Sequence, residues 1–235
     1  MPVGVVGHDD EGRQLLEYFK KLGIDTRAIH IAKNYRTPAK MRILGGGVHS
    51  KRQQIVRIDS GGARDRDKRP ELTPVLDRLL RSAQALLVSD YGYGTVTPEL
   101  AARASQYGVP ATVDSRFALG SFAGMKAATP NESEVEALLG ITIGSDLEKL
   151  EWAGRKVLRK LDLAALLITR GKDGMALFEP RRKTLHIPIF GSSEIVDVTG
   201  AGDTVIATFT LALASGASYE QAARLSNYAG GVVVM

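Results

Sequence analysis

From Ala85 onward the chain repeats one rhythm, a short apolar run followed by a capped helix, and no other feature restricts its fold so strongly. Ala85-Leu86-Leu87-Val88-Ser89 reads as a buried strand, and Thr97-Pro98-Glu99 opens a helix that stops near Gly108. Ala111-Thr112-Val113-Asp114 reads as a strand that ends in a carboxylate. Asn131 to Leu139 reads as a helix with Glu134 at the position that completes a capping box. A helix over Trp152 to Leu161 and a strand over Ala164 to Thr169 follow. Met175 to Phe178 and Thr184 to Ile187 suit a hairpin, and two helices are predicted over Gly202 to Ser215 and Tyr219 to Val234. Alternating strands and helices predict an α/β fold with a mostly parallel central sheet flanked by helices. Ligands of such sheets collect at the carboxyl ends of the strands. Asp90, Asp114, Thr129-Pro130-Asn131 and Thr169-Arg170-Gly171 all fall there.

The first part of the chain differs. Val3 to Gly7 reads as a short strand, and Leu15, Leu16, Phe19 and Leu22 recur at helical spacing after a cap at Asp9 or Asp10. From Arg27 to Asp59 the pattern becomes short β-prone pieces. Lys40 to Leu44 and Gln54 to Ile58 each alternate polar and apolar residues, with Gly45-Gly46-Gly47 between them. That predicts a hairpin with one wet face, a β-lid over 27–59 within a single domain spanning 1–235.

Composition excludes several classes. Hydrophobic residues make up 44% and charged residues 24%, an ordinary globular balance. No apolar run approaches the ~20 residues of a membrane helix, and the start lacks the pattern of a signal peptide. Without cysteine there are no disulfides, which permits a cytoplasmic location. The four histidines lack ligand spacing. A net charge of +5 suits an anionic small substrate. Basic residues gather between Lys51 and Arg69, but no aromatic residues interleave with them and no nucleic-acid motif accompanies them, so no nucleic-acid partner is expected.

The chemistry concentrates in Asp197-Val198-Thr199-Gly200-Ala201-Gly202-Asp203-Thr204, followed by an apolar helix. Small residues let a ligand approach the backbone closely. Amides at Gly200, Ala201, Gly202 and Asp203 would lie at a helix N-terminus, where unpaired N–H groups and the helix dipole favour an anion. A carboxylate at Asp203 suits the removal of a proton from an attacking hydroxyl. Donors for a transferring phosphate beside a base for its acceptor describe a phosphoryl-transfer site.

This string resembles the C-terminal signature of the ribokinase, or phosphofructokinase-B-type, carbohydrate kinases. The resemblance extends over nearly the whole chain and implies a ribokinase-like fold, ATP and Mg²⁺ as cofactors, and a homodimer formed through the lid. Asn131-Glu132-Ser133-Glu134 is similar to the family's N-x-x-E motif, which implies a role in placing Mg²⁺ (through Glu134) and the ATP phosphates. Thr169, Gly171 and Gly174 resemble the strand-end turn that contacts the nucleotide, and Asn227 resembles an Asn near the adenine pocket. Asp197 and Thr199 correspond to positions that support a monovalent cation, K⁺, near the anion hole.

Within the family, the kinase domains of bifunctional heptose 7-phosphate kinase/heptose 1-phosphate adenylyltransferases are the nearest likeness. Gly4 to Gly12, Thr37 to Arg42, Gln53 to Asp59, Ser89 to Gly94 and Val196 to Ile206 carry it. It implies transfer of the ATP γ-phosphate to the anomeric hydroxyl of D-glycero-D-manno-heptose 7-phosphate, a step toward the ADP-heptose of lipopolysaccharide. Lys40, Arg42 and Asp90 would then contact the sugar phosphate, with Arg57 as a further cation. Lys40, Arg42 and Arg57 read equally well as an ordinary solvated lid strand. The family's sugar-binding Asp on a first strand and its Gly-Gly-x-x-x-Asn segment have no counterpart in this sequence, which predicts an incomplete N-terminal part of the fold and sugar pocket. Tyr93 and Arg116 stand where the heptose kinases usually have Lys. The alternatives are another ribokinase-type sugar kinase, acting on ribose, fructose or a hexose phosphate, and a truncated nucleotide-binding homologue without turnover.

Overall fold

The computed structural model describes residues 1–46, 53–62, 71–191 and 200–234. The chain divides into two compact units, Met1–Leu76 with Tyr93–Thr95, and Asp77–Gly92 with Val96–Met235.

In the first unit β1 (Gly4–Gly7) leads into α1 (Asp10–Lys21) and then β2 (Ile29–Ala32). Asp9 caps α1 by accepting from the Gly12 amide at 2.9 Å. The Asp9 carboxylate also accepts from the Thr37 amide and hydroxyl, and Thr37 Oγ1 accepts from the Gly7 amide at 2.8 Å. One acid thereby ties the first strand–helix turn to the start of the next segment. β2 pairs with β1 in parallel, Gly4 opposite Ile29, so this strand completes a βαβ unit. The hairpin expected from Lys40 to Leu44 and Gln54 to Ile58 is formed by β3 (Ala39–Gly45) and β4 (Gln53–Ser60), antiparallel with an irregularity after Ile43, and β2 lies outside it.

After α2 (Thr73–Leu80), the second unit holds a six-stranded sheet. Its elements are β5 (Leu86–Asp90), α3 (Pro98–Gln106), β6 (Ala111–Ser115), β7 (Ala127–Ala128), α4 (Glu132–Leu139), α5 (Leu147–Lys160), β8 (Ala165–Thr169), β9 (Met175–Phe178), β10 (Leu185–Ile187), α6 (Ala201–Ala214) and α7 (Tyr219–Val233). The strand order is β10-β9-β8-β7-β6-β5. β5 to β8 run parallel, and β9 and β10 are antiparallel additions at one edge. The α/β class with a mostly parallel sheet is therefore as the sequence predicts. α5 begins five residues before Trp152, because the Asp146 carboxylate accepts from the Glu148 and Lys149 amides at 3.0 Å and starts the helix there.

α5 packs on β8 and β9, α6 on β5 and β6, and α7 on β9 and β10. Ala127, Ala165, Leu167, Leu177, Val205 and Phe209 form a core between sheet and C-terminal helices. β8 is buried through Ala165 to Ile168 without alternation, as expected of a strand covered on both faces. A buried bond between the Thr112 and Thr210 hydroxyls, 2.5 Å, fixes α6 over β6. Such a fixed crossing sets where the first turn of α6 lies at the strand ends.

Candidate active site

The carboxyl ends of β5 to β8 and the N-terminus of α6 meet at one edge of the second unit. Gly200, with φ 82°, precedes α6 in a left-handed conformation and provides no side-chain cap. The amides of Ala201, Gly202 and Asp203 therefore stand in the first turn without a capping side chain. A Cβ built on Gly200 or on Gly202 meets no atom of the described residues within 4 Å, so among these the space in front of the turn is open. Asp203, in that same turn, is exposed and accepts from the Tyr91 hydroxyl at 2.8 Å. Tyr91 follows β5 directly, and burial together with the hydrogen bond to Asp203 and its charge raises the pKa of its hydroxyl well above the ordinary value, leaving it protonated.

Asp90 is buried, and its carboxylate accepts from the Gly92 amide at 2.8 Å and the Ser115 hydroxyl at 2.7 Å. Those bonds fix the backbone on either side of Tyr91. Asp114, one residue before the end of β6, is pushed up to about 7, first by burial, then by the charges of Glu134, Asp203 and Asp90. Four acids thus share one electrostatic neighbourhood.

Asn131 caps α4 in a full capping box: its side chain accepts from the Glu134 amide at 2.8 Å and its amide donates to Glu134 Oε2 at 2.9 Å. Burial raises Glu134 above its usual range despite the Asn131 amide and the Arg116 charge. Glu132 accepts from Arg170 Nε at 2.9 Å, next to the bridge between Asn131 and Thr169. This joins the N-x-x-E segment, Ser133 included, to the turn Thr169–Gly174. Thr129, which ends the β7 segment, is buried with its hydroxyl unpartnered among the described residues. Asn227 is buried, not surface-exposed, and donates to the Pro188 carbonyl at 2.9 Å.

The second unit therefore brings together Asp90, Asn131, Glu132, Ser133, Glu134, Thr169, Gly171 and Gly174 at its strand ends, with Gly200, Ala201, Gly202 and Asp203 on α6. Asp197 and Thr199 lie outside the described residues, as do Lys51, Arg52, Arg64, Arg66, Lys68 and Arg69. Lys40 and Arg42 lie on β3 in the first unit, with Lys40 opposite Asp59 and Arg42 opposite Arg57. Arg57 is paired with Asp59 at 2.8 Å. Two residues carry roles that sequence reading missed. Tyr91 was visible only as part of a resemblance, and the shift at Asp114 depends on neighbours from three other elements.

The Asp114 shift has a measurable consequence. Its folded value of about 7 exceeds the ordinary 3.8, so between those limits the folded chain holds a proton that the unfolded chain has lost. Stability must then fall as pH rises through that window. Asp114→Asn removes the charge, so the stability gap between variant and wild type should widen in the variant's favour by ~2 kcal/mol from pH 5 to pH 8. Urea titration without Mg²⁺ or nucleotide checks this, and a gap independent of pH refutes it.

The fold matches solved ribokinases. An Arabidopsis thaliana ribokinase complexed with ribose and ATP superposes with a TM-score of 0.82 at 24% identity, over 99% of this chain and 74% of that one. Phosphofructokinase-2 from Escherichia coli, in complex with potassium, gives 0.76 at 16% identity over 98% of this chain and 74% of its own. The fold is thus the ribokinase-like one. The description "pfkB family carbohydrate kinase" matches residues 2–235, and the chain belongs to that family, whose members are phosphotransferases with an alcohol group as acceptor. A bifunctional protein HldE from Geobacter sulfurreducens is 39% identical over 98% of this chain and 47% of its own length. The HldE of Pseudomonas savastanoi pv. phaseolicola is 37% identical over 99% of this chain and 48% of its own. The chain spans about half the length of these curated relatives.

Proposed function

We propose that the chain transfers the γ-phosphate of ATP to a sugar phosphate, with the anomeric hydroxyl of D-glycero-D-manno-heptose 7-phosphate as acceptor. The observation that carries this reading is the Asp203 carboxylate in the first turn of α6, beside amides without a side-chain cap that no described residue crowds. The identity to HldE proteins favours the heptose, and the ribokinase complexed with ribose and ATP favours that nucleotide.

In this reading Asp203 takes the acceptor proton, and the amides of Gly200, Ala201 and Gly202 receive the negative charge of the migrating phosphoryl group. Asn131, Glu132, Ser133, Thr169, Gly171, Gly174 and Asn227 hold the nucleotide. Lys40, Arg42 and Asp90 are assigned to the sugar phosphate. Among the described residues no three His, Asp or Glu side chains could hold a metal alone. Mg²⁺ takes one or two carboxylates and completes its shell from phosphates and water. Glu134 would hold it, since a half-buried carboxylate whose pKa is raised by burial gains from a nearby cation. When bound, Mg²⁺ supplies positive charge against the phosphates. Asp197 and Thr199 are assigned to K⁺.

An ADP-release assay with Mg²⁺-ATP against heptose 7-phosphate, ribose and fructose 6-phosphate tests the proposal. Heptose 7-phosphate should give the highest kcat/KM. A higher value for another sugar refutes the heptose, and ATP binding without ADP release from any sugar refutes the kinase.

We also assign the chain to the cytoplasm, where ATP is available; no described helix is long and apolar enough to cross a membrane. A homodimer through the lid accounts for its surface. Met41, Ile43, Val56 and Ile58 oppose each other on one face of the hairpin, and each is 42–62% exposed. Ile55 at the irregularity is 72% exposed. Apolar faces of this kind mark contact surfaces. The double variant Ile43→Asp/Val56→Asp should raise the dimer dissociation constant by about 100-fold. Sedimentation velocity reads this, and a monomeric wild type at high concentration contradicts it.

A further inference from the structure

The contact between Tyr91 and Asp203 joins residues 112 apart in sequence, and it is the hydrogen bond of the Asp203 side chain among the described residues. Its geometry is prepared from the strand side. Asp90, the last residue of β5, spends both carboxylate oxygens on neighbours, Oδ1 on the Gly92 amide and Oδ2 on the Ser115 hydroxyl. The Asp90 carbonyl accepts from the Arg116 amide at 3.0 Å, so the backbone at Tyr91 is tied to the end of β6. The Tyr91 hydroxyl is thus presented by a fixed turn and not by a free loop.

We infer that Tyr91 is a positioning residue for the base: its hydroxyl holds Asp203 Oδ1 and turns Oδ2 toward the acceptor. This deepens the proposed function and rests on its assignment of Asp203. Asp90 on β5, Asp114 on β6, Glu134 on α4 and the Arg116 cation also face this end. A neutral donor holds the carboxylate without placing a further cation beside the base, where it would compete for the incoming phosphate.

Tyr91→Phe keeps the ring and removes the donor. In the ADP-release assay with heptose 7-phosphate, kcat should fall about tenfold while KM for ATP stays in place. Thermal melting should show the variants folded. On the Asp203→Asn background the same substitution should cost no further turnover, because the hydroxyl acts only through the base. A tenfold loss on that background as well, or wild-type kcat in Tyr91→Phe, overturns the inference. The two ideas fail separately. Full turnover by Asp203→Asn overturns the assignment of the base; an impaired Asp203→Asn beside additive losses in the double variant overturns only the role of Tyr91.

Discussion

Asp203→Asn is expected to lower kcat by ~10²–10⁴ while leaving nucleotide affinity within about twofold of wild type. The substitution keeps the shape of the side chain and its carbonyl oxygen, so the Tyr91 hydroxyl retains an acceptor at the same place. It also keeps the first turn of α6, because Gly200 and not Asp203 sets the entry of the helix. What is removed is the capacity to take a proton. The amides of the turn remain, so residual turnover should reflect their electrostatic contribution alone. Steady-state ADP release gives kcat, and calorimetric titration with ATP gives the affinity. Wild-type turnover in the variant would sink the assignment of the base. Equal losses of turnover and ATP affinity would instead point to a role for Asp203 in ground-state binding.

The parts of the site legible in the sequence are those whose geometry is local. Asn131 and Glu134 are three residues apart, and the capping box follows from that spacing. The uncapped turn before α6 follows from consecutive small residues and a helix start. The parallel strands β5, β6 and β8 were readable because continuous apolar runs bounded by caps and turns have few other interpretations. Non-local features were not readable. β2 alternates weakly, and only its pairing with β1 separates it from the hairpin. β7 is two residues long, too short for any periodicity, yet it brings Asn131 to the strand ends. That Asn227 is buried and satisfied by the Pro188 carbonyl appears only in the fold. The bond from Tyr91 to Asp203 and the raised Asp114 exist only once four elements converge. Local spacing encodes the chemical groups, and the tertiary fold sets their ionisation.

The turn after β8 makes the second large prediction, because it leaves no room for a side chain at one glycine and ample room at another. Gly174 has φ 77° and ψ −129°, a region that side chains rarely adopt. A Cβ there would stand 2.1 Å from the Ile187 carbonyl oxygen and 2.8 Å from the Ile189 amide nitrogen, both backbone atoms. The turn is closed by the Arg170 amide on the Gly174 carbonyl at 2.8 Å and the Gly174 amide on the Gly171 carbonyl at 3.1 Å, so it cannot move without breaking its own bonds. On its far side the opposing strand is held by Asn227 at Pro188. Gly174→Ala should therefore cost ~3 kcal/mol or more, the sum of backbone strain and overpacking. For a chain of this size that lowers Tm by about 6–12 °C. Gly171→Ala is the matched control. Its φ of 54° is also left-handed, but a Cβ there meets nothing within 4 Å, and its cost should stay near ~1 kcal/mol. Because Gly174 and Asn227 press on the same strand, Gly174→Ala should also weaken ATP binding more than Gly171→Ala does. Calorimetric melting with ATP titration on both variants decides the matter. Equal destabilisation by the two substitutions would mean that crowding against Ile187 and Ile189 does not govern this turn.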